Sequence, residues 1–306
     1  MKFFKILVIT LLYVVISCTI EKTDYEAELG TEVPENYEFK EASTLTSGNY
    51  RISIESLNGT FYKGYNELHL KVINTQNNQE VTTSEVTFLP VLTSVENTSS
   101  CPHEYTLPYD TANKYYSGYS VFTSESVATA NWKLYVSFTA DNQKYDIAKD
   151  ITVEKQSNKN LNMTSFTGTD GEQYFIALVS PQRPTVSENP LVAGIYKYNK
   201  PVTVGGIFPD ASQFSYSKVN GYILKLDPRM PEPSMGNHSS PNNKDLIQQN
   251  DGLYHGVVNY TMTGNWTLNL IMMNQNGLIV KGTVVSTDFT PGTEGAKSEL
   301  YIDTLF

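Results

Sequence analysis

The sequence predicts an all-β protein with two tandem immunoglobulin-like β-sandwich domains, each built from antiparallel strands. Three observations support this prediction. Short segments such as residues 68–72 and 132–136 alternate apolar and polar side chains with period two, which is typical of half-buried strands. Turn sequences rich in Gly, Asn and Pro separate them. The chain also contains 21 Tyr and 13 Phe, residues that favour strands, and no segment shows convincing helical amphipathicity.

Length and charge limit the classes of function. The 306 residues suit one large domain or two ordinary ones, each with enough chain to bury a core. The sequence has 32 acidic and 22 basic side chains, a formal net charge of −10. Because nucleic-acid binding depends on clustered Lys and Arg, this balance argues against nucleic acid as a partner.

The N-terminus has the pattern of a secretory signal. Lys2 and Lys5 flank the start of an apolar run, residues 6–16. A membrane-spanning helix needs about 20 apolar residues, so the run is too short to cross a bilayer. It ends in Val-Ile-Ser followed by Cys18, which resembles the lipobox of bacterial lipoproteins. The resemblance implies a signal peptide at 1–17, lipidation of Cys18 and a lipid anchor in the bacterial cell envelope, facing the periplasm or on the outer-membrane surface. An ordinary signal with an incidental cysteine is the alternative.

Changes in composition predict the domain boundaries. Residues 18–46 comprise the lipidated Cys and an acidic tether without apolar periodicity. Residues 47–156 form the first sandwich, residues 157–169 a linker, and residues 170–306 the second sandwich. Beyond Cys18 the only cysteine is Cys101, so no internal disulfide can form. Cys101 is either a buried, inert thiol or a reactive or metal-binding one.

The two halves of the chain match each other at several positions in the same order. This internal similarity predicts a repeat in which each copy is one sandwich. The matching pairs are residues 116–122 with 254–260, residues 132–136 with 266–270, residues 99–102 with 238–241, and Pro90 with Pro228.

The second copy contains a loop rich in Pro and Met, residues 227–241. Asp-Gly-Leu-Tyr-His-Gly follows at 251–256 and Met-Thr-Gly-Asn-Trp at 262–266. This stretch resembles the YtkA-like/FixH-like family of exported β-sandwich domains, in which a Pro-Met-x-Met-Gly-His-type loop precedes Asp-Gly-x-Tyr-x-Gly and Met-x-Gly-x-Trp. The resemblance covers residues 222–272 and is weak elsewhere. It implies an exported sandwich domain associated by context with copper handling and respiratory oxidase assembly.

This sequence departs from the family pattern in two places. Asn237 separates Gly236 from His238, which could shift the register of a ligand loop. The first copy has Leu92 or Thr93 near the position of Met230, and Ser99 in place of His238. The first copy therefore lacks the soft ligands.

Met230, Met235 and His238 form the candidate metal site. They lie within nine residues on one loop, and His255 lies on the strand that follows. Thioether and imidazole ligands suit Cu(I), whereas zinc sites favour Cys, His and carboxylate. The alternative is structural, because Met often fills gaps in cores and a loop His is often only solvated or hydrogen-bonded.

Other distinctive residues are predicted to be structural. His69 is placed on the polar side of its strand, and His103 could pair with Cys101, although two such residues supply too few ligands for a closed metal site. The remaining assignments are Trp132, Trp266, Met262, Met272 and Met273 to core packing, and Gly252 and Gly264 to turns.

The sequence lacks the motifs of common enzyme classes, so a non-catalytic role is predicted. The leading hypothesis is an envelope lipoprotein whose second domain binds copper as a chaperone or store. The second is a cell-envelope binding or scaffold module without metal, which holds a protein or glycan through its loops and Tyr-rich surface. The third is an envelope hydrolase, which rests only on the abundance of carboxylates and names no catalytic residue.

Overall fold

The computed structural model describes residues 37–95, 97–156, 160–203 and 209–305. They belong to one compact unit, Val33–Phe306. The predicted signal peptide, residues 1–17, and the predicted lipidation site, Cys18, lie outside the described residues. In the part of the chain that is described, no helix is long and apolar enough to cross a membrane.

The described chain is built almost entirely from strands. In the first half these are β1 (Phe39–Ser47), β2 (Tyr50–Leu57), β3 (Phe61–Tyr62), β4 (Gly64–Asn74), β5 (Val86–Ser94), β6 (Thr98–Ser100), β7 (Thr106–Leu107), β8 (Tyr109–Asp110), β9 (Tyr115–Phe122), β10 (Ala130–Ala140), β11 (Gln143–Ile151) and β12 (Val153–Glu154). In the second half they are β13 (Met163–Thr167), β14 (Gln173–Ser180), β15 (Glu188–Tyr198), β16 (Tyr216–Lys218), β17 (Ile223–Met230), β18 (His238–Ser239), β19 (Lys244–Gln248), β20 (Tyr254–Asn259), β21 (Asn265–Met273), β22 (Ile279–Lys281) and β23 (Tyr301–Leu305), with short 3-10 turns at Ala211–Phe214 and Pro233–Met235.

Two antiparallel sheets enclose the core of the first half. One has the order β1-β2-β4-β9-β8, and the other has the order β11-β10-β5-β6 with β7 also on β5. Strand β12 pairs with β3 in a short parallel ladder. Alternate residues face the core, as in β4, where Leu68, Leu70 and Val72 are buried. Their side chains pack in the same cluster as Leu134 of β10.

The second half continues as one sheet of eleven strands. Its main path is β13-β14-β15-β20-β19-β17-β21-β22, and β16, β18 and β23 join from the side. Strand β19 pairs with both β20 and β17, so it joins the β13-β14-β15-β20 part of the sheet to the β17-β21-β22 part. The predicted all-β, antiparallel architecture is therefore confirmed.

The two halves share strand pairings at the positions where their sequences match. Pro90 of β5 lies opposite Leu134 of β10, and Pro228 of β17 lies opposite Leu268 of β21. The tyrosines that begin the matched segments also bond alike. The Tyr116 hydroxyl donates to the Val81 carbonyl at 3.0 Å, and the Tyr254 hydroxyl donates to the Val219 carbonyl at 2.9 Å. Both acceptor residues precede the strand that contains the matched proline.

Trp132 and Trp266 are fully buried in the cores of their halves, which confirms their predicted packing role. Each indole N–H also donates to a backbone carbonyl of the preceding connection. Trp132 bonds to Ser124 at 2.9 Å and Trp266 to Met262 at 3.0 Å. A buried indole N–H requires such an acceptor, so each Trp fixes the connection before its strand.

Two boundaries differ from the prediction. Strand β1 begins at Phe39, inside the predicted tether 18–46, and β13 lies inside the predicted linker 157–169. Strand β1 was assigned to the tether from the sequence because exposed charged residues begin the strand. There the Glu41 carboxylate accepts hydrogen bonds from Ser53 and Arg51, both at 2.6 Å, while Leu45 is buried. The bond from Ser53 is the largest cause that lowers the pKa of Glu41, to about 2.

A tyrosine-rich cluster joins the two halves. Tyr119 of β9 stacks on Tyr196 of β15 with ring centroids 5.2 Å apart, and on Tyr65 of β4 at 5.8 Å. Val121 and Phe175 belong to the same buried cluster. Burial of these side chains fixes the position of one half relative to the other.

Candidate functional site

Strand pairing brings Met230 and His238 together. Met230 ends β17 and lies directly opposite His238 at the start of β18. Directly opposed residues point to the same face, with Cβ atoms about 4.5–5.5 Å apart. Met230 is 1% exposed and belongs to the core of the second half, whereas His238 is partly exposed. The pairing therefore sets a buried Met and a partly exposed His opposite each other on one face of the two strands.

Met235 lies in the short connection between these strands. The turn Pro233–Met235 begins with a proline and ends at Gly236, whose φ of 63° lies in the left-handed region. Glycine adopts this conformation readily, and it reverses the chain toward His238. The Met235 side chain packs against the same core that contains Met230. Three of the four predicted ligands are thus brought to one end of the second half.

Asn237, the residue that departs from the family pattern, anchors this loop. Its φ is 55°, and its amide Nδ2 donates to the carbonyls of Ser286 at 3.1 Å and Asp288 at 3.4 Å. The ring of Phe289 lies 3.6 Å from the position that a Cβ on Gly236 would occupy. The extra residue therefore attaches the loop to the segment 286–289.

His238 is held by a turn from another part of the chain. Its Nε2 lies 2.9 Å from Oγ1 of Thr261, and its ring meets Trp266 edge to face with centroids 6.2 Å apart. Among the described residues, no hydrogen bond is made by the other ring nitrogen, Nδ1. The imidazole is thus oriented by one nitrogen and has the second available.

His255 does not belong to this site, so its prediction as a ligand is wrong. It lies opposite Ile247, which in turn lies opposite Ile223 at the far end of β17 from Met230. Seven residues separate Ile223 from Met230, which at about 3.3 Å per residue corresponds to roughly 23 Å. His255 instead forms a hydrogen bond with the Asp251 carboxylate, with Nε2 2.8 Å from Oδ2.

The methionines predicted to pack in the core have different environments. Met272 is fully buried, as predicted, and Met273 is only partly buried. Met262 is 37% exposed in the connection between β20 and β21, so its assignment to the core is wrong. The alternation that suggested a buried Met262 stops where β20 ends at Asn259.

The two predicted turn glycines are confirmed. Gly252 has a φ of 80° and Gly264 a φ of 129°, conformations that side chains other than glycine's rarely adopt. Gly264 also permits a close approach, because a Cβ there would lie 2.9 Å from Cε of Met230. The connection before β21 can therefore lie against the candidate site.

The first half has a different pair at the matching position. Leu92 of β5 lies opposite Ser99 of β6, as Met230 lies opposite His238. Neither Leu nor Ser supplies a soft ligand. The prediction that this half lacks the ligand set is consistent with its strand register.

Cys101 is an inaccessible thiol. It is 0% exposed, and burial raises its pKa to about 12. His103 does not pair with the thiol as considered above, because its Nδ1 contacts the Cys101 carbonyl at 2.7 Å. His69 is also covered, although it was expected on the polar side. It stacks between Phe39 and Tyr115 at centroid distances of 3.9 Å and 3.8 Å.

A cleft of about 570 Å³ lies where the halves meet, and no sequence motif predicted it. Phe214 packs nearby against Leu89 and Val91 of β5. Residues that are distant in sequence form this cleft, so no local motif reveals it. The only signal in the sequence is the high Tyr content of the chain. Its lining includes Tyr105, Tyr119, Phe214, Tyr216 and Lys218.

Metal-ligand clusters of the commoner kind are absent from the described ranges. There, no group of three or more His, Cys, Asp or Glu side chains is placed to hold a metal ion, a ligand set that does not count the thioethers of Met230 and Met235. No protein-family model and no curated protein matches this chain.

His103 is expected to make stability depend on pH. Burial lowers its pKa from 6.5 to about 4, so between these values the unfolded chain binds a proton that the folded chain does not. Stability is then unaffected above pH 6.5 and falls as the pH drops toward 4. Between pH 7 and pH 4.5 the His103 contribution to this loss is roughly 2–3 kcal/mol. Urea unfolding of the wild type and His103→Gln at both pH values measures it, and equal pH dependence in the two proteins would contradict the expectation.

Proposed function

We propose that the second half of this protein binds Cu(I) through Met230, Met235 and His238. The chain would act without catalysis, as a copper chaperone or store in the bacterial cell envelope. The observation that supports this most directly is the strand pairing that puts Met230 opposite His238, with Met235 in the connection between them. The three residues lie within nine positions of the sequence, and the short connection between β17 and β18 keeps them at one end of the sheet.

The ligand chemistry favours Cu(I) over other ions. Thioethers are soft, neutral donors, and a neutral imidazole completes a set that suits monovalent copper better than zinc, magnesium or calcium. The apolar surroundings, with Met230 in the core and the Trp266 ring beside His238, would keep water from the ion. Bound copper would be the protein's cargo, and a ligand loop at the surface allows it to enter and leave.

Export and family resemblance support the same proposal. The lipobox-like sequence at Cys18 would anchor the chain to a membrane by lipid, and the loop pattern resembles the YtkA-like/FixH-like family. We further propose that the two halves are immunoglobulin-like sandwich repeats. In this arrangement the first half would be structural and the second half would hold the metal.

A Cu(I) competition titration tests the proposal. The unlipidated fragment 19–306, which contains the whole compact unit, competes with a chromophoric chelator under reducing conditions. We expect one equivalent of Cu(I) in the wild type and an affinity about 100-fold lower in His238→Ala, equal to about 2.7 kcal/mol. Met235→Leu should also weaken binding.

His255→Ala is the matched control, because it removes a histidine of the same half from a place remote from the site. It should bind copper as the wild type does. No competition by the wild type, or equal losses in His238→Ala and His255→Ala, would refute the site.

A second candidate function is an envelope binding or scaffold module, and the cleft between the halves favours it. Aromatic rings from both halves line the cleft, and the Lys218 ammonium lies 5.1 Å from the centroid of the Tyr119 ring. Aromatic faces beside polar groups suit a glycan or an extended peptide. This function predicts an envelope partner that is retained in the presence of copper chelators and lost in Tyr105→Ala, whose side chain is 42% exposed. Retention of the partner by Tyr105→Ala would refute a role for the cleft.

A further inference from the structure

The connection between β20 and β21 contacts the candidate copper site. We call residues 260–264 the site turn. Thr261 contacts His238 through Oγ1, and the Met262 carbonyl accepts the indole N–H of Trp266 at 3.0 Å. At the end of the turn, Gly264 allows the Met230 methyl group to approach the backbone. One turn therefore touches a proposed thioether ligand, the proposed imidazole ligand and the Trp that packs beside them.

We infer that the site turn completes the copper site, with Met262 as a further thioether ligand and Thr261 as a residue that positions His238. This inference rests on the proposed function. In the inferred ligand set Met262 takes the place of His255, which lies roughly 23 Å away along the sheet.

The contact with Thr261 assigns different roles to the two nitrogens of His238. The Thr261 hydroxyl oxygen lies 2.9 Å from Nε2. In the inferred site Nε2 carries the proton and donates it to this oxygen, so the neutral ring has its lone pair on Nδ1. A metal-binding histidine usually donates its other N–H to such an oxygen, which fixes both the tautomer and the ring orientation. Thr261 would thus direct Nδ1 to the copper.

The position of Met262 suits a ligand. Its backbone is held 3.0 Å from the Trp266 indole, while its side chain remains 37% exposed. The residue directly before it, Thr261, contacts the proposed imidazole ligand, His238. A Met side chain has three rotatable bonds and a polarizable sulfur, so it can turn from solvent toward an ion at the surface of this turn. Met230 and Met262 would then approach the ion from the core side and the solvent side.

Gly264 explains how the turn can lie so close. Its φ of 129° is a conformation that residues with a side chain rarely adopt, and a Cβ there would lie 2.9 Å from the Met230 methyl, which would have to shift. A side chain at this position would therefore strain the turn and displace the Met230 methyl. The family-like spacing of Met262, Gly264 and Trp266 therefore has a geometric reason in this chain.

Copper affinity and copper X-ray absorption of the fragment 19–306 test the inference. In Met262→Leu, we expect about tenfold weaker Cu(I) binding and one sulfur scatterer fewer than in the wild type. Met273→Leu is the matched control, since Met273 lies opposite Ile223 at the far end of the sheet. It should retain the wild-type affinity and sulfur count.

Thr261 is tested by a pair of variants. Thr261→Val keeps the shape but removes the hydroxyl, and it should weaken Cu(I) binding about tenfold without lowering the sulfur count. Thr261→Ser restores a hydroxyl and should rescue the affinity. If the threonine methyl had a purely structural role, Thr261→Val would keep the wild-type affinity and Thr261→Ser would lose it.

The outcomes separate this inference from the proposed function. If the wild type binds copper, His238→Ala loses it and Met262→Leu keeps the wild-type affinity and sulfur count, Met262 is not a ligand and the proposed function stands. If Thr261→Val binds as the wild type does, the positioning role is refuted. If the wild type binds no copper, both the proposed function and this inference are overturned.

Discussion

Replacing Trp266 with Ala is expected to lower the free energy of unfolding by about 4 kcal/mol. The side chain is fully buried, and its ring meets Tyr260 at a centroid distance of 5.4 Å. The substitution leaves a large cavity and removes the N–H that bonds to the Met262 carbonyl. Urea unfolding at neutral pH measures the loss. A loss near 1 kcal/mol would contradict this expectation, because it would show that neighbouring side chains fill the cavity left by Trp266.

Trp132→Ala provides the matched comparison. Trp132 is equally buried in the first half and meets Phe122 edge to face at 4.9 Å, so we expect a similar loss of stability. Only Trp266→Ala should also weaken Cu(I) binding, because only Trp266 contacts the site turn and His238. Both affinities are measured under conditions where the variants are folded. Equal copper affinities would show that Trp266 does not contribute to copper binding.

The second large effect is expected at Gly256. A Cβ there would lie 2.5 Å from the Lys244 carbonyl oxygen and 3.0 Å from Cγ of Leu246. The carbonyl belongs to β19, whose register shifts between Lys244 and Ile247. Because backbone cannot rotate aside as a side chain can, Gly256→Ala should force these strands apart. We expect a loss of about 3 kcal/mol in the free energy of unfolding.

Gly118 occupies the matching position in the first half and should respond less. A Cβ at Gly118 would meet the end of the Leu107 side chain at 2.4 Å, with no backbone atom among its nearest neighbours. A change of side-chain rotamer can relieve part of this clash, so Gly118→Ala should lose about 1 kcal/mol. Urea unfolding of both variants compares them, and a larger loss for Gly118→Ala would contradict the argument.

The two halves therefore combine a shared framework with different surfaces. The matched prolines, tyrosines and tryptophans keep the same pairings, but Leu92 and Ser99 in the first half correspond to Met230 and His238 in the second. The framework residues are those that fill the cores or satisfy buried donors. The positions that differ lie at one end of the paired strands, where Met230 is part of the core and His238 is partly exposed.

The fold class could be predicted from the sequence because strand periodicity is a local property. Alternation in segments such as residues 68–72 places every second side chain in the core, whatever the rest of the chain does. The matched positions of the two halves were readable for the same reason. Strand β1 was missed because it was grouped with the acidic residues that precede it, from Glu21 to Glu35, and these suggested a solvated tether.

The composition of the candidate site was only partly predictable. Met230, Met235 and His238 are close in sequence, and a short connection between paired strands keeps them close in space. His255 was assigned by its nearness in sequence, but strand β20 carries it to the opposite end of the sheet. Met262 was assigned by an alternation that ends with the strand at Asn259.

By itself, the sequence determined that this protein is all-β and antiparallel, because side-chain alternation and turn residues act over a few neighbouring positions. Only the tertiary structure decided which residues share the proposed site. Thr261 contacts His238 because β17, β18 and β21 bring distant segments into one register, and register depends on pairings between strands. The cleft between the halves also depends on packing between distant strands, which local periodicity does not encode.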